Sequence, residues 1–253
     1  MRFAAPLFAL FVALTSSASA QDVALPGASF FPEGIDRTDD DRYYVSSFVT
    51  GDIETFVDGD TSTTSFASGV LSGAVGVYVD ASIDTLWVCG TRADTGAGGL
   101  QGFDLTTGAQ VAFHDFGPGS FCNDIAQDGA GNLYVTDSLG YRITTIAAAD
   151  RLTDSPATTW LAHPAFTLEP GEGTGLSING IAFHQNRLYV VNITRGELYR
   201  IVVKGNGSPG KLDIIALDRP LNGPDGIEIV DHRTAVVAEN FTNSLSRVDI
   251  TGP

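Results

Sequence analysis

Three features of the chain predict an all-β fold, a β-propeller of four-stranded blades. A strand–turn–strand pattern recurs five times along the 253 residues. The copies start 42 to 56 residues apart, which leaves room for four short strands in each. No stretch carries the apolar spacing of a long helix.

Taken in order, residues 1–20 read as a secretory signal. Arg2 is the charged start, Ala4 to Leu14 the apolar run, and Ala18-Ser19-Ala20 the small-residue cleavage site. The run is too short to span a bilayer. The mature chain is expected to begin at Gln21, secreted or periplasmic, with residues 21–253 forming one propeller domain. After a lead-in, unit one reads Pro32-Glu33-Gly34-Ile35, then Tyr43-Tyr44-Val45. Unit two reads Val75-Gly76-Val77-Tyr78-Val79, then Leu86-Trp87-Val88. Unit three opens on Asn123-Asp124, turns through Asp128 to Asn132 and continues as Leu133-Tyr134-Val135; its four strands are expected at 124–127, 133–136, 142–147 and 158–162. Unit four has Ile178-Asn179-Gly180-Ile181, then Leu188-Tyr189-Val190, and unit five Pro224-Asp225-Gly226-Ile227, then Ala235-Val236-Val237. Residues 92–99 and 164–175 read as loops, and 147–152 as one turn at most. Five repeats are visible, and unit five stops after three strands. Either the ring closes as five blades, with residues 22–31 lending the last strand, or a sixth blade is missing or truncated.

The net charge of −16 repels nucleic-acid phosphate and anionic membranes, so neither is an expected partner. Cys89 and Cys122 lie near the inner strands of successive units; they are either a disulfide, which export permits, or two buried thiols. Asn192, Asn206 and Asn240 open glycosylation sequons. His114, His163, His184 and His232 share no register and read as structural or surface residues.

One position per unit stands out. The residues at 33, 75, 123, 179 and 225 are Glu33, Val75, Asn123, Asn179 and Asp225, so four of the five carry a side-chain oxygen. The residue that follows is Gly in four units, which allows close backbone approach. The first strand of a blade lines a propeller's central channel, so these oxygens are expected to converge there. Two carboxylates with two carboxamides suit a hard divalent cation, calcium above all. Zinc would want His or Cys. Ordinary turn chemistry accounts for the Asn, Asp and Gly as well, though poorly for Glu33. A second recurring position, at the end of the second strand, holds Ser46, Cys89, Asp137, Asn192 and Glu239. Its polar members either stand behind the first set or cap the hairpin.

Pro-Glu-Gly at 32–34, Asn-Asp at 123–124, Ile-Asn-Gly-Ile at 178–181 and Pro-Asp-Gly-Ile at 224–227 resemble the gluconolactonase and regucalcin (senescence marker protein) family of six-bladed propellers. The resemblance implies a divalent cation, usually calcium, held by Glu33, Asn179 and Asp225. It implies Asn123 as a substrate or metal contact with a part in catalysis, and Asp225 as general base. Gluconolactonase-like members have an Arg two residues before Asn123; here Phe121 stands in that substrate-binding place, which points away from a sugar-acid lactone. The implied function is an exported, metal-dependent hydrolase of lactones or small esters, acting on a small-molecule substrate. The stretch from Asp128 to Arg142 also resembles NHL repeats, which implies the alternative of an exported binding propeller without chemistry.

Overall fold

The computed structural model describes residues 22–252, so the expected signal segment and its cleavage site lie outside the described residues. The chain forms five antiparallel sheets, each a meander whose consecutive strands pair. Blade 1 holds β1 (Pro32–Arg37), β2 (Arg42–Ser47), β3 (Ile53–Val57) and β4 (Thr64–Ala67). Blade 2 holds β5 (Leu71–Asp80), β6 (Thr85–Arg92), β7 (Gly98–Asp104) and β8 (Gln110–Asp115). Blade 3 holds β9 (Cys122–Gln127), β10 (Leu133–Asp137), β11 (Arg142–Ile146) and β12 (Thr158–Ala162). Blade 4 holds β13 (Ile178–His184), β14 (Arg187–Asn192), β15 (Glu197–Val203) and β16 (Pro209–Ile214). Blade 5 has three strands, β17 (Pro224–Asp231), β18 (Thr234–Glu239) and β19 (Ser244–Asp249). Residues 147–152 are a turn, as expected, and the 164–175 loop contains one short 3-10 turn at Pro164–Phe166.

The strands form because β-branched, aromatic and Leu side chains recur on both faces, and both faces become buried when blades stack. Four apolar clusters result, one at each joint between successive blades. Tyr44, Ile53, Leu86 and Phe103 fill the joint of blades 1 and 2. Trp87, Leu100, Ile125 and Val135 fill the next. Phe166, Leu188, Tyr199 and Ile201 fill the third, and Leu198, Ala235, Val237 and Ile250 the fourth. Cys89 and Cys122 form a disulfide that ties β6 to β9. Closing a loop of this length stabilises the fold by roughly 3–4 kcal/mol on the chain-entropy model. Among the described residues no helix is long and apolar enough to cross a membrane.

The inner strands β1, β5, β9, β13 and β17 stand side by side in that order around a central cavity. The circle does not close on a fifth core: no apolar cluster joins blade 5 to blade 1 among the described residues. Ile35 on β1, Val230 on β17 and Leu245 on β19 remain 60% or more exposed. Two expectations are corrected here. The family likeness implies six blades, and the described residues make five. Nor do residues 22–31 lend a strand to blade 5. Ala24 pairs beside Ser62 instead, exchanging main-chain hydrogen bonds with Thr61 and Thr63 at the outer edge of blade 1.

Candidate functional site

Every inner strand is bulged at the same place. Pairing of first and second strands shifts register between Pro32 and Ile35, Ala74 and Val77, Ile178 and Ile181, and Pro224 and Ile227, and in blade 3 opposite Val135 and Asp137. Each bulge contains the recurring position and its successor. A bulge inserts an unpaired residue and re-aims side chains, which explains why turn-forming residues sit within strands here. The glycines that follow sit where the next blade crowds in. A Cβ on Gly34 would lie 2.6 Å from the Val75 carbonyl oxygen, on Gly76 2.4 Å from that of Asn123, and on Gly180 2.1 Å from that of Asp225. In blade 3 the position is Asp124, and its carboxylate bridges the joint by accepting from the Ile181 N–H at 2.9 Å and its own strand's Ile125 N–H at 2.8 Å.

The bulges bring Glu33, Asn123, Asn179 and Asp225 to the lining of one cavity of about 670 Å³. Asn123 and Asn179 are buried, Asp225 is half-buried, and Glu33 is exposed. The Asp225 carboxylate accepts from the Asn240 amide at 3.0 Å and from the Asn179 amide. Asp36, Asp124 and Glu228 line the same cavity, which among the described residues has no Lys or Arg in its wall. The electrostatic outcome is uniform. Burial, then the charges of Asp225 and Asp124, hold the Glu33 carboxyl well above its usual range. Burial raises Asp225 against the pull of the two amides. Burial lifts Asp124 to about 7 despite its two main-chain donors. Asp36 and Glu228 are raised by burial too, Glu228 further by the Asp36 charge. Such a cavity favours a proton or a bound cation and repels anions.

Phe121 lies elsewhere. Its side chain packs against the apolar cluster between blades 2 and 3, outside the cavity lining, while its N–H donates to Asp137 at 2.8 Å. The second recurring position mixes two registers, because the bulges offset the count. Ser47, Asp137, Asn192 and Glu239 pair with the residue before each bulge, whereas Ser46 lies one residue earlier. These side chains hold the hairpins and the joints. Asp137 caps Gly140 and pairs with Arg142, Asn192 accepts from Thr194 and Arg195, and Glu239 pairs with Arg219. Ser46 and Thr136 each donate to the bulge carbonyl of the next blade, Val75 and Asn179. Asn192, fully buried, offers no sequon to solvent; Asn206 and Asn240 are exposed.

Asp36, Asp124, Glu228 and His184 were not expected in the lining. Asp124 carried a signal, as the acidic exception in a glycine column. Asp36 and Glu228 sit three residues after Glu33 and Asp225, a spacing that alternation along a bulged strand conceals. His184 lines the cavity, and its Nε2 is shielded from water without a protein partner. His114 is structural, with Nε2 donating to the Arg151 carbonyl and Nδ1 against Ser155 Oγ. Among the described residues no three His, Cys, Asp or Glu side chains stand together as a metal-holding group, so any oxygen cage here depends on the carboxamides.

No family model matches the chain, and no curated protein matches its sequence. Solved structures do share its fold. A chain in a nidogen–laminin complex is 17% identical with a TM-score of 0.66, covering 88% of this chain and 77% of that one. A streptogramin B lyase is 17% identical with a TM-score of 0.62, covering 89% and 70%. A catalytically inactive virginiamycin B lyase from Staphylococcus aureus, crystallised with quinupristin, is 14% identical with a TM-score of 0.56, covering 88% and 82%. At these identities the likeness is one of fold: the chain is a β-propeller, and propellers of this shape include enzymes.

Proposed function

We propose that this protein is a cation-dependent hydrolase of small, uncharged lactones or esters. The observation that carries the reading is the convergence of Glu33, Asn123, Asn179 and Asp225 on a cavity whose wall has five carboxylates and, among the described residues, no Lys or Arg. The donor set is all oxygen, two carboxylates and two neutral carboxamides, which fits calcium and not zinc. Glu33, Asn179 and Asp225 would hold the ion, with Asn123 beside it. A bound dication supplies polarisation of a substrate carbonyl and offsets charge growing on its oxygen. The remaining work falls to the chain. Asp225, raised by burial and steadied by the Asn240 amide, accepts a proton from the attacking water. Asn123, held in the blade 3 bulge, orients the substrate. The acidic wall keeps anionic compounds out. The 1–20 pattern and the Cys89–Cys122 disulfide support action outside the cytoplasm.

That no three His, Cys, Asp or Glu side chains among the described residues stand close enough to hold a metal favours one other reading, a binding propeller without chemistry. Two measurements separate them. The melting temperature is followed with chelator and then with added calcium; a rise is expected in the wild type and not in Glu33→Ala. Neutral aliphatic lactones and aryl esters are then assayed with calcium present, and Asp225→Asn is expected to lose most turnover while staying folded. A calcium response without hydrolysis leaves the binding reading; no calcium response removes the cation from both.

A further inference from the structure

The turn between the second and third strands of a blade stands just past the entry of its inner strand. Pro32 pairs with Ser47, Cys122 with Asp137 and Pro224 with Glu239, and each turn follows directly. One hydrogen bond recurs there. The first N–H of the turn donates to the carbonyl two residues before the site position. Phe48 donates to Phe31 at 3.1 Å, Ser138 to Phe121 at 2.9 Å and Asn240 to Gly223 at 2.9 Å. The turns of blades 1, 3 and 5 therefore sit beside the entries to Glu33, Asn123 and Asp225. In blade 5 the Asn240 amide reaches Asp225 itself.

These turns are apolar, where surface turns are ordinarily polar. Phe31, Phe48 and Phe241 are each more than half exposed, and Val49 and Leu139 little less. No other phenylalanine among the described residues is so exposed. Phe31 holds left-handed backbone, φ 46°, which a bulky residue rarely adopts. The Phe48 N–H and the Ser47 hydroxyl fix it by donating to the Phe31 and Phe30 carbonyls. Phe241 lies over Gly223, where a Cβ would come within 2.5 Å of its ring. The open flank between blades 5 and 1 does not account for the set. Leu139 belongs to blade 3, and the Phe48 carbonyl faces blade 2, 3.1 Å from where a Cβ on Gly73 would stand. Backbone strain kept for an exposed ring points to function and not to folding.

We propose that the substrate is an ester or lactone bearing a hydrocarbon chain. Its uncharged head enters the acidic cavity, and its chain lies across Phe31, Phe48, Leu139 and Phe241. The head group rests on the hydrolase reading, and the apolar rim does not. A chain on an open rim is covered on one side. Each CH₂ is therefore expected to tighten binding about twofold, against about fourfold for full burial.

The probe is a series of γ-lactams with alkyl chains of two to ten carbons. They keep the ring carbonyl and have no ester to cleave. Binding to the full chain is measured by calorimetry with calcium present. Aryl esters with acyl chains of the same lengths are assayed beside it. Affinity and kcat/KM are expected to climb with chain length. Phe31→Gly, which suits the left-handed backbone, and Phe48→Ser should each flatten the climb. Together they should weaken the ten-carbon lactam about tenfold. The control is Leu152→Ser, in the turn that follows β11 at the opposite end of the ring, and it should leave the slope unchanged. Melting curves confirm that each variant is folded. Lactam binding that is absent or ignores chain length overturns the proposal, whether or not esters are cleaved. So does a slope that survives in the double variant. The rim then falls to a neutral lipid surface. A slope in binding with no ester or lactone cleaved leaves the rim standing and removes the hydrolase.

Discussion

Gly180 and Gly226 occupy the same place in neighbouring blades and have opposite surroundings. A Cβ on Gly180 would lie 2.1 Å from the Asp225 carbonyl oxygen; on Gly226 it would meet nothing within 4 Å. The first faces the joint of blades 4 and 5, the second the seam between blades 5 and 1. Identical local sequence, Gly followed by Ile, thus serves a packed joint in one case and an open flank in the other. Composition does not separate them; the presence of a next blade does. Each buried Leu or Ile in a joint contributes about 1.5–3 kcal/mol, a gain that the seam forgoes.

The largest test of this contrast is a pair of single substitutions. Gly180→Ala forces backbone apart inside a joint and is expected to cost about 3 kcal/mol in denaturant unfolding. Gly226→Ala, at an ordinary φ with open space, is expected to be neutral or to stabilise by up to about 1 kcal/mol through the unfolded chain. Equal losses would mean that blade 5 packs on blade 1 in solution.

The second test uses charge. Asp124 bridges the joint of blades 3 and 4, half-buried and raised to about 7, whereas Glu228 faces the seam and is exposed. A carboxyl raised in the folded state binds its proton more tightly there than in the unfolded chain. Its contribution is complete below the ordinary value of 3.8 and is lost as pH climbs through about 7. The metal-free protein is therefore expected to lose on the order of 3 kcal/mol across that window through Asp124. Carboxyls held low by partners, such as Glu172 beside Arg195 and Glu239 beside Arg219, both at about 2, act only in acid. Glu33, Asp36, Asp225 and Glu228 are raised as Asp124 is, so substitution, and not the wild-type profile alone, isolates the share of Asp124. Asp124→Asn should flatten the profile of melting temperature against pH far more than Glu228→Gln. A flat wild-type profile, or equal effects of the two substitutions, would show that joint and seam hold carboxylates alike.

Most of the fold is legible in the sequence, because each hairpin announces itself. Leu133-Tyr134-Val135 after Asp128 to Asn132 is a strand after a turn whatever surrounds it, and the strands of blade 3 fall within two residues of where the pattern places them. The convergence of Glu33, Asn123, Asn179 and Asp225 on one cavity is legible for the same reason, since repeats carry equivalent positions to equivalent places. Two things are not legible. The bulges offset the strand count, so Ser46 and Asp137 look equivalent when Ser47 and Asp137 are, and Asp36 and Glu228 disappear into the alternation. The direction of Phe121 depends on the disulfide-bearing joint beside it, a tertiary fact with no local signature.

The smallest expected effect is also the most direct reading of the seam. Leu245 is 74% exposed on β19, and Leu198, in the joint of blades 4 and 5, is fully buried. Leu198→Ala opens a cavity and is expected to cost 2–5 kcal/mol, as large-to-small core changes do, so about that much. Leu245→Thr removes side-chain bulk that touches mostly water and replaces it with a good strand former, so stability should change by less than about 0.5 kcal/mol. A loss above about 1.5 kcal/mol would mean that Leu245 is covered, which an open flank does not allow.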